Sequence, residues 1–244
     1  NQQSIKIMIF KKIGLFLLLA ALGTGCGNQS TSTDTGNLNF AADNGGITLP
    51  DGFSAVVVAD SLGAARHITV GDNGDIYVIL SKSEGENGIV ALRDTNGDGQ
   101  ADEQEYFSNI TGTGIQLYEG YLYASTDTSV VRFAMDGDNL TPSSTPEVVI
   151  QGFPRQGSHA AKPFTFDNSG NIYVNVGAPS NACQEQTRTP GSPGQEPCPQ
   201  LEFQGGVWQF SATTMGQTQQ ENGYRYASGI RNGVALDWNP NAGN

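Results

Sequence analysis

Oxygen-bearing side chains recur at alternate positions in RDTNGDGQADEQE: Asp94, Asn96 and Asp98, then Gly99, with Glu105 closing the run six residues later. That is calcium-loop spacing, in which carboxylates and carbonyls gather round a hard cation. Asp94, Asn96, Asp98, the Gln100 carbonyl and Asp102 are the ligands offered for a structural Ca2+; Glu105 is the weakest, because a strand need not carry it back to the loop. An EF-hand needs a helix on each side, whereas the flanks GIVALR and EYFSNI are rich in β-branched and aromatic residues and read as strands. Asn-Gly and Asp-Gly also turn a hairpin without metal. The other groups suited to chemistry are the two histidines, able to move protons near neutral pH, and the arginines near them. They fall in LGAARHI, with Arg66 and His67, and in GFPRQGSHAAKPF, with Arg155 and His159; a third such segment, YASGIRNGVAL, has Arg231 and Asn232. G-x-S-x-G, H-E-x-x-H, CxxC and P-loop patterns do not occur.

The elements that must position these groups repeat. ARHITVGDNGDIYVIL, GTGIQLYEGYLYAST and KPFTFDNSGNIYVNVG each read as strand, turn and a second strand carrying a tyrosine. Tyr77, Tyr123 and Tyr173 lie 46 and 50 residues apart, the period of a four-stranded propeller blade. GIVALRD with EQEYFSNI, SVVRFAMD with PEVVIQGF, and GGVWQFSA with GYRYASGI complete the three units. The fold class is therefore all-β: a partial β-propeller of three four-stranded blades plus one strand, GVALDWNPNAGN, of a fourth. A small open β domain is the alternative. FSAVVVAD is expected to close the ring by pairing into the last blade. Since a closed propeller needs four to eight blades, the sequence reads as part of a longer protein. The segments holding His67, His159 and Arg231 each lead into an innermost strand, so they open beside the central channel, where loops of successive blades converge.

Twelve basic against 24 acidic residues leave a net charge of -12, which repels nucleic acid and anionic lipid. Lys11 and Lys12 precede the apolar run Ile13–Leu22, the length of a signal-peptide core and too short for a membrane span. GTGC follows, so residues 1–26, with Met8 as the natural start, resemble a bacterial lipoprotein signal lipidated at Cys26. Gly23 stands where leucine is usual, and ordinary signal cleavage is the alternative. Residues 27–46 read as a polar tether, and residues 47–244 as the propeller domain. The expected location is periplasmic or cell-surface, with membrane contact only through the lipid anchor. Export leaves Cys183 and Cys198 as an even pair in an oxidising compartment, expected to form a disulfide, with two free thiols as the alternative.

LPDGFSAVVVADSLGAARHITVGDNGDIYV, RDTNGDGQADE, GSHAAKPFTFDNSGNIYVNVG and YASGIRNGVALDWNP together resemble the glucose/sorbosone dehydrogenase family. Members are six-bladed propellers that use pyrroloquinoline quinone (PQQ) and calcium to oxidise sugars and related alcohols or aldehydes. The resemblance runs from about residue 48 to 244, the N-terminal half of a member. It implies that His159 is the general base and that Arg231 lies beside the cofactor to stabilise charge on the reduced quinone. It also implies Asn232 as a cofactor hydrogen-bond partner and His67 as part of the cofactor pocket. Gly233 stands where proline is common in the family. The ligands of the cofactor-bound calcium are expected beyond residue 244. The implied partners are a small sugar, alcohol or aldehyde substrate and an external electron acceptor. The competing reading is a non-catalytic propeller that binds a carbohydrate or protein.

Overall fold

The computed structural model describes residues 7–12 and 37–242. The apolar run Ile13–Leu22, Cys26 and the tether up to residue 36 lie outside the described residues. The chain forms two compact units, one from residues up to Leu62 together with Arg93–Glu103, the other from Gly63–Leu92 together with Gln104 onward.

In the first unit, β1 (Ile7–Lys12) pairs antiparallel with β2 (Phe53–Ala59). β1 falls in the segment that reads as a leader. The ring-closing partner expected for FSAVVVAD is thus replaced, in this structure, by β1: a β-branched strand with unpaired backbone groups takes an available edge. The Asp94–Asp102 loop belongs to this unit and is tied to it by Ala101 N–H donating to the Val58 carbonyl and Asn39 N–H donating to the Asp98 carbonyl, at 2.9 and 2.7 Å.

Three four-stranded meanders follow, at the places the tyrosine period predicts. Blade 1 is β3 (Ala65–Val70), β4 (Ile76–Glu84), β5 (Asn87–Arg93) and β6 (Glu103–Phe107). Blade 2 is β7 (Ile115–Tyr118), β8 (Tyr121–Ser125), β9 (Val130–Ala134) and β10 (Glu147–Gln151). Blade 3 is β11 (Phe164–Phe166), β12 (Asn171–Val176), β13 (Gly206–Ser211) and, after β14 (Gln217–Thr218), β15 (Tyr224–Ser228). Successive strands within each blade are neighbours, as short turns between antiparallel strands require.

The second strand of each blade is buried on both faces, so its sequence is a continuous apolar run around tyrosine rather than an alternation. Tyr77, Tyr123 and Tyr173 are all buried. One core joins blades 1 and 2 through Ile79, Ile89, Leu122 and Phe133. A second joins blades 2 and 3 through Tyr123, Val149, Phe164, Phe166, Ile172 and Trp208. The Tyr123 hydroxyl donates to the Ala212 carbonyl at 3.0 Å, satisfying the polar end of a ring that packs between two blades.

Two features were not expected. β14 adds to blade 2, parallel to β10, with Ile150 opposite Gln217 and Gln151 opposite Thr218. GVALDWNPNAGN forms no strand among the described residues; an innermost strand is stabilised by its ladder neighbour, and none of the described residues supplies one.

Candidate active site

β12 ends at Val176, and the chain then runs through Gly177 and Ala178 into the long connection before β13. His159 and Arg231 meet at this strand end. The Arg231 carbonyl accepts the Ala178 N–H at 2.8 Å. His159 Nδ1 lies 2.5 Å from the Ala178 carbonyl oxygen. A carbonyl only accepts, so Nδ1 carries a proton, and in the neutral ring the lone pair is left on Nε2. That is the tautomer a proton acceptor needs. The His159 backbone has φ 55°, a left-handed conformation that costs a non-glycine residue about 1–3 kcal/mol and persists only where its surroundings hold it. Gly177 admits the arrangement: a Cβ there would sit 2.6 Å from both the Cβ and the carbonyl oxygen of His159, and 3.2 Å from the Arg231 carbonyl oxygen.

The surroundings that hold His159 are largely amides. Gln156 Nε2 donates to the carbonyls of Ser158, His159 and Gly177 at 2.7, 3.0 and 3.0 Å. Its Oε1 accepts from Gln204 Nε2 at 2.8 Å. Three residues after His159 in the chain, Lys162 is fully buried and its ammonium donates to the Ala160 carbonyl. Burial pushes Lys162 down to about 8, while the Asp127 carboxylate pulls it the other way.

Arg231 is exposed, its Nε donates to Asn181 Oδ1, and its guanidinium meets no carboxylate among the described residues. Next to it, Gly233 N–H donates to Oδ1 of the fully buried Asn175 at 3.1 Å. Proline has no N–H to make that bond, so glycine in place of the family's usual proline has a local role. Asn175 Nδ2 and Asn232 Oδ1 are both buried and lack a hydrogen-bond partner among the described residues. Unsatisfied buried polar atoms are costly, and their place beside Arg231 fits a ligand that carries both carboxylates and ring donors. PQQ, an anionic tricarboxylate quinone, is such a ligand.

His67 lies elsewhere. It sits on β3 and lines a cavity of about 270 Å³ with Thr69, Gln116, Phe164 and Asp237, fed by the innermost strands of all three blades. Burial, and secondarily Arg66, lowers its pKa, which keeps the ring neutral. Among the described residues, His67 makes no hydrogen bond to His159 or Arg231. The cavity beside Arg231 is a separate one of about 290 Å³, bounded by Ala178, Ser180, Gln200 and the Cys183–Cys198 disulfide. The disulfide anticipated from the cysteine count is formed, and it closes the insertion that walls this cavity.

The residues of the 94–105 run do not assemble a cage. Asp94 accepts the N–H groups of Asn96, Gly97 and Gly99; Asp98 accepts Gln100 N–H; Asp102 accepts the Thr95 N–H and hydroxyl and the Asn96 amide. Those bonds lower the Asp102 pKa, the Thr95 N–H first among them. No group of three or more His, Cys, Asp or Glu side chains placed to hold a metal ion is found among the described residues. Strands β5 and β6 flank the loop, so an EF-hand is ruled out.

Sequence comparison decides the family: the TrAA12-like model matches residues 47–244. The chain belongs to the TrAA12-like family, a PQQ-dependent sugar dehydrogenase family. No curated protein shows significant similarity to it. Among solved structures, it is similar to the holo form of the pyranose dehydrogenase PQQ domain from Coprinopsis cinerea, with a TM-score of 0.53 at 15% identity over 69% of this chain and 39% of that one. It is also similar to the calcium structure of the Trichoderma reesei carbohydrate-active enzyme of family AA12, with a TM-score of 0.52 at 15% identity over 68% and 40% of the two chains. At such identity these likenesses establish the blade architecture of this TrAA12-like chain. The chain spans about two fifths of the length of either structure.

Gln156, Lys162, Asn175 and Gln204 were not singled out by sequence. Asn175 left the one usable signal, a polar residue inside the apolar strand NIYVNV; the others are loop residues whose role depends on distant contacts.

Proposed function

We propose that the protein is an exported PQQ-dependent dehydrogenase that oxidises a sugar, a sugar-derived aldehyde or a related alcohol. The observation that carries the reading is the contact of His159 with Ala178: Nδ1–H is committed to the Ala178 carbonyl, which in the neutral ring leaves the lone pair on Nε2, and the N–H of the same Ala178 is held by the Arg231 carbonyl. His159 Nε2 accepts the proton of the substrate hydroxyl, and Ala178 steadies the imidazolium that results, through the bond already made. Arg231 holds a fixed positive charge next to the reacting groups. Its planar guanidinium, anchored through Nε on Asn181, presents its remaining N–H groups to an anion. Asn175 and Asn232 supply the unsatisfied amide atoms for polar contacts to the cofactor. When bound, PQQ supplies the two-electron acceptor for the hydride leaving the substrate carbon. An external electron acceptor and a calcium ion beside the cofactor are part of the same proposal.

Export and anchoring are part of the proposal. The basic and apolar run ahead of Cys26 supports it, as does the Cys183–Cys198 disulfide, a bond that persists in oxidising compartments. Labelling cells with a radioactive fatty acid should mark the protein and fail to mark Cys26→Ser.

The deciding experiment gives the full-length protein PQQ and Ca2+ and follows dye reduction with a panel of aldoses, polyols and aldehydes. Turnover with at least one of them, lost in His159→Ala, is the expected result. No PQQ binding and no turnover would leave a non-catalytic propeller as the better reading.

A further inference from the structure

We infer that Gln156 is the positioning residue of His159, setting which ring nitrogen holds the proton, with Gln204 as its brace. The inference rests on the proposed role of His159 as base. Gln156 carries one amide group, and its contacts orient that group without ambiguity. Three carbonyl oxygens face Nε2, and an amide N–H faces Oε1; a flipped amide would set oxygen against three carbonyls.

The three carbonyls belong to the two strands of backbone that must stay in register for the His159 ring to find its acceptor. Those of Ser158 and His159 lie on the segment that carries the ring. That of Gly177 lies one residue before Ala178, whose carbonyl receives Nδ1–H. Gln156 thus bridges the residue bearing the imidazole and the peptide bearing its partner. It also lies next to the left-handed φ of His159, a conformation that relaxes unless held.

Gln204 extends the bridge 48 residues along the chain. Its own N–H donates to the Gln200 carbonyl, and Gln200 exchanges side-chain hydrogen bonds with Ser180. The support of His159 therefore comes from Ser180, Gln200 and Gln204, which flank the loop that the Cys183–Cys198 bond closes. Lys162 holds the carbonyl of Ala160, the residue that follows His159.

The test is nitrogen NMR of the labelled chain, in which long-range couplings to the ring nitrogens report the tautomer of each of the two histidines. Wild-type His159 is expected in the Nδ1–H form. Gln156→Ala should lower the ratio of Nδ1–H to Nε2–H by roughly fivefold or more, the worth of one net hydrogen bond, and Gln204→Ala should lower it by less. His67, on β3, should be unchanged and serves as the folding control. An unchanged His159 tautomer in both variants would overturn the inference. If Gln156→Ala does not fold, Gln204→Ala decides alone, since it leaves all three carbonyl bonds of Gln156 available. The readout needs neither PQQ nor turnover, so an inactive full-length protein would refute the proposed function and leave this result standing.

Discussion

Placing one methyl group at Gly177 puts the strand-end geometry under direct strain. The backbone there is not in the left-handed region, so alanine is compatible with the local conformation and the cost is steric alone. The added carbon would lie 2.6 Å from the Cβ and the carbonyl oxygen of His159, and ordinary contact begins near 3.4 Å, so His159 and Gly177 must separate by about 0.8 Å. Overpacking of this kind costs about 1–3 kcal/mol. A displacement of that size at a proton acceptor lowers turnover on the order of 10²-fold. Gly157→Ala is the control, because it lies in the loop that carries His159 and nothing approaches its Cβ position within 4 Å. Urea denaturation of both variants should show a loss of stability for Gly177→Ala only, and the His159 ring resonances should shift only there. The dye-reduction rate of the full-length protein should fall with it. If the two variants are equally stable and His159 is unmoved in both, the packing of Gly177 against His159 is not what positions the ring.

Three further outcomes follow from the described geometry. Replacing Cys183 and Cys198 by serine should lower stability by about 3 kcal/mol on the loop-entropy account, seen as a shifted urea midpoint. Lys162 has a folded pKa near 8 against 10.5 for the free side chain. Below pH 8 both states are protonated and the buried charge costs stability; from about 8 to 10.5 only the unfolded state keeps its proton, so stability rises by roughly 3 kcal/mol. Lys162→Met should remove that rise, measured as the difference between the two proteins' unfolding free energies across the window. Asp94→Ala strips three loop N–H groups of their acceptor, and amide hydrogen exchange at Gly97 and Gly99 should accelerate while exchange in β12 is unaltered.

The blades were legible because each repeats a strong local pattern: a buried strand centred on tyrosine, bounded by Asn, Asp and Gly turns. β14 was not, because two polar residues, Gln217 and Thr218, carry no periodicity and pair only because the connection before β15 brings them alongside β10. The expected strand in 233–244 is absent among the described residues for the complementary reason: suitable residues are present without a ladder to join. At the site, the loop positions of His159 and Arg231 in successive units pointed to one mouth, and the two do meet at Ala178. His67, in the same class of loop, lines another cavity because it lies on β3 itself rather than ahead of it. Gln156 and Gln204 were illegible, since an amide in a loop has no preferred partner until folding brings one across 48 residues. The calcium pattern was legible as a loop, and the same oxygens that match it are the ones that cap the loop's own amides.

β14 also acts as an edge guard. The outer strand of a sheet is a template on which a second molecule can add a strand, and proteins block such edges to stay soluble. By laying Gln217 and Thr218 along Ile150 and Gln151, blade 3 closes the exposed flank of blade 2 with a polar strip. The outer edge of β15 has no partner strand among the described residues and presents Tyr224 and Tyr226, 66% and 57% exposed. Strand addition between molecules is therefore expected at β15, and Tyr224→Lys should suppress it.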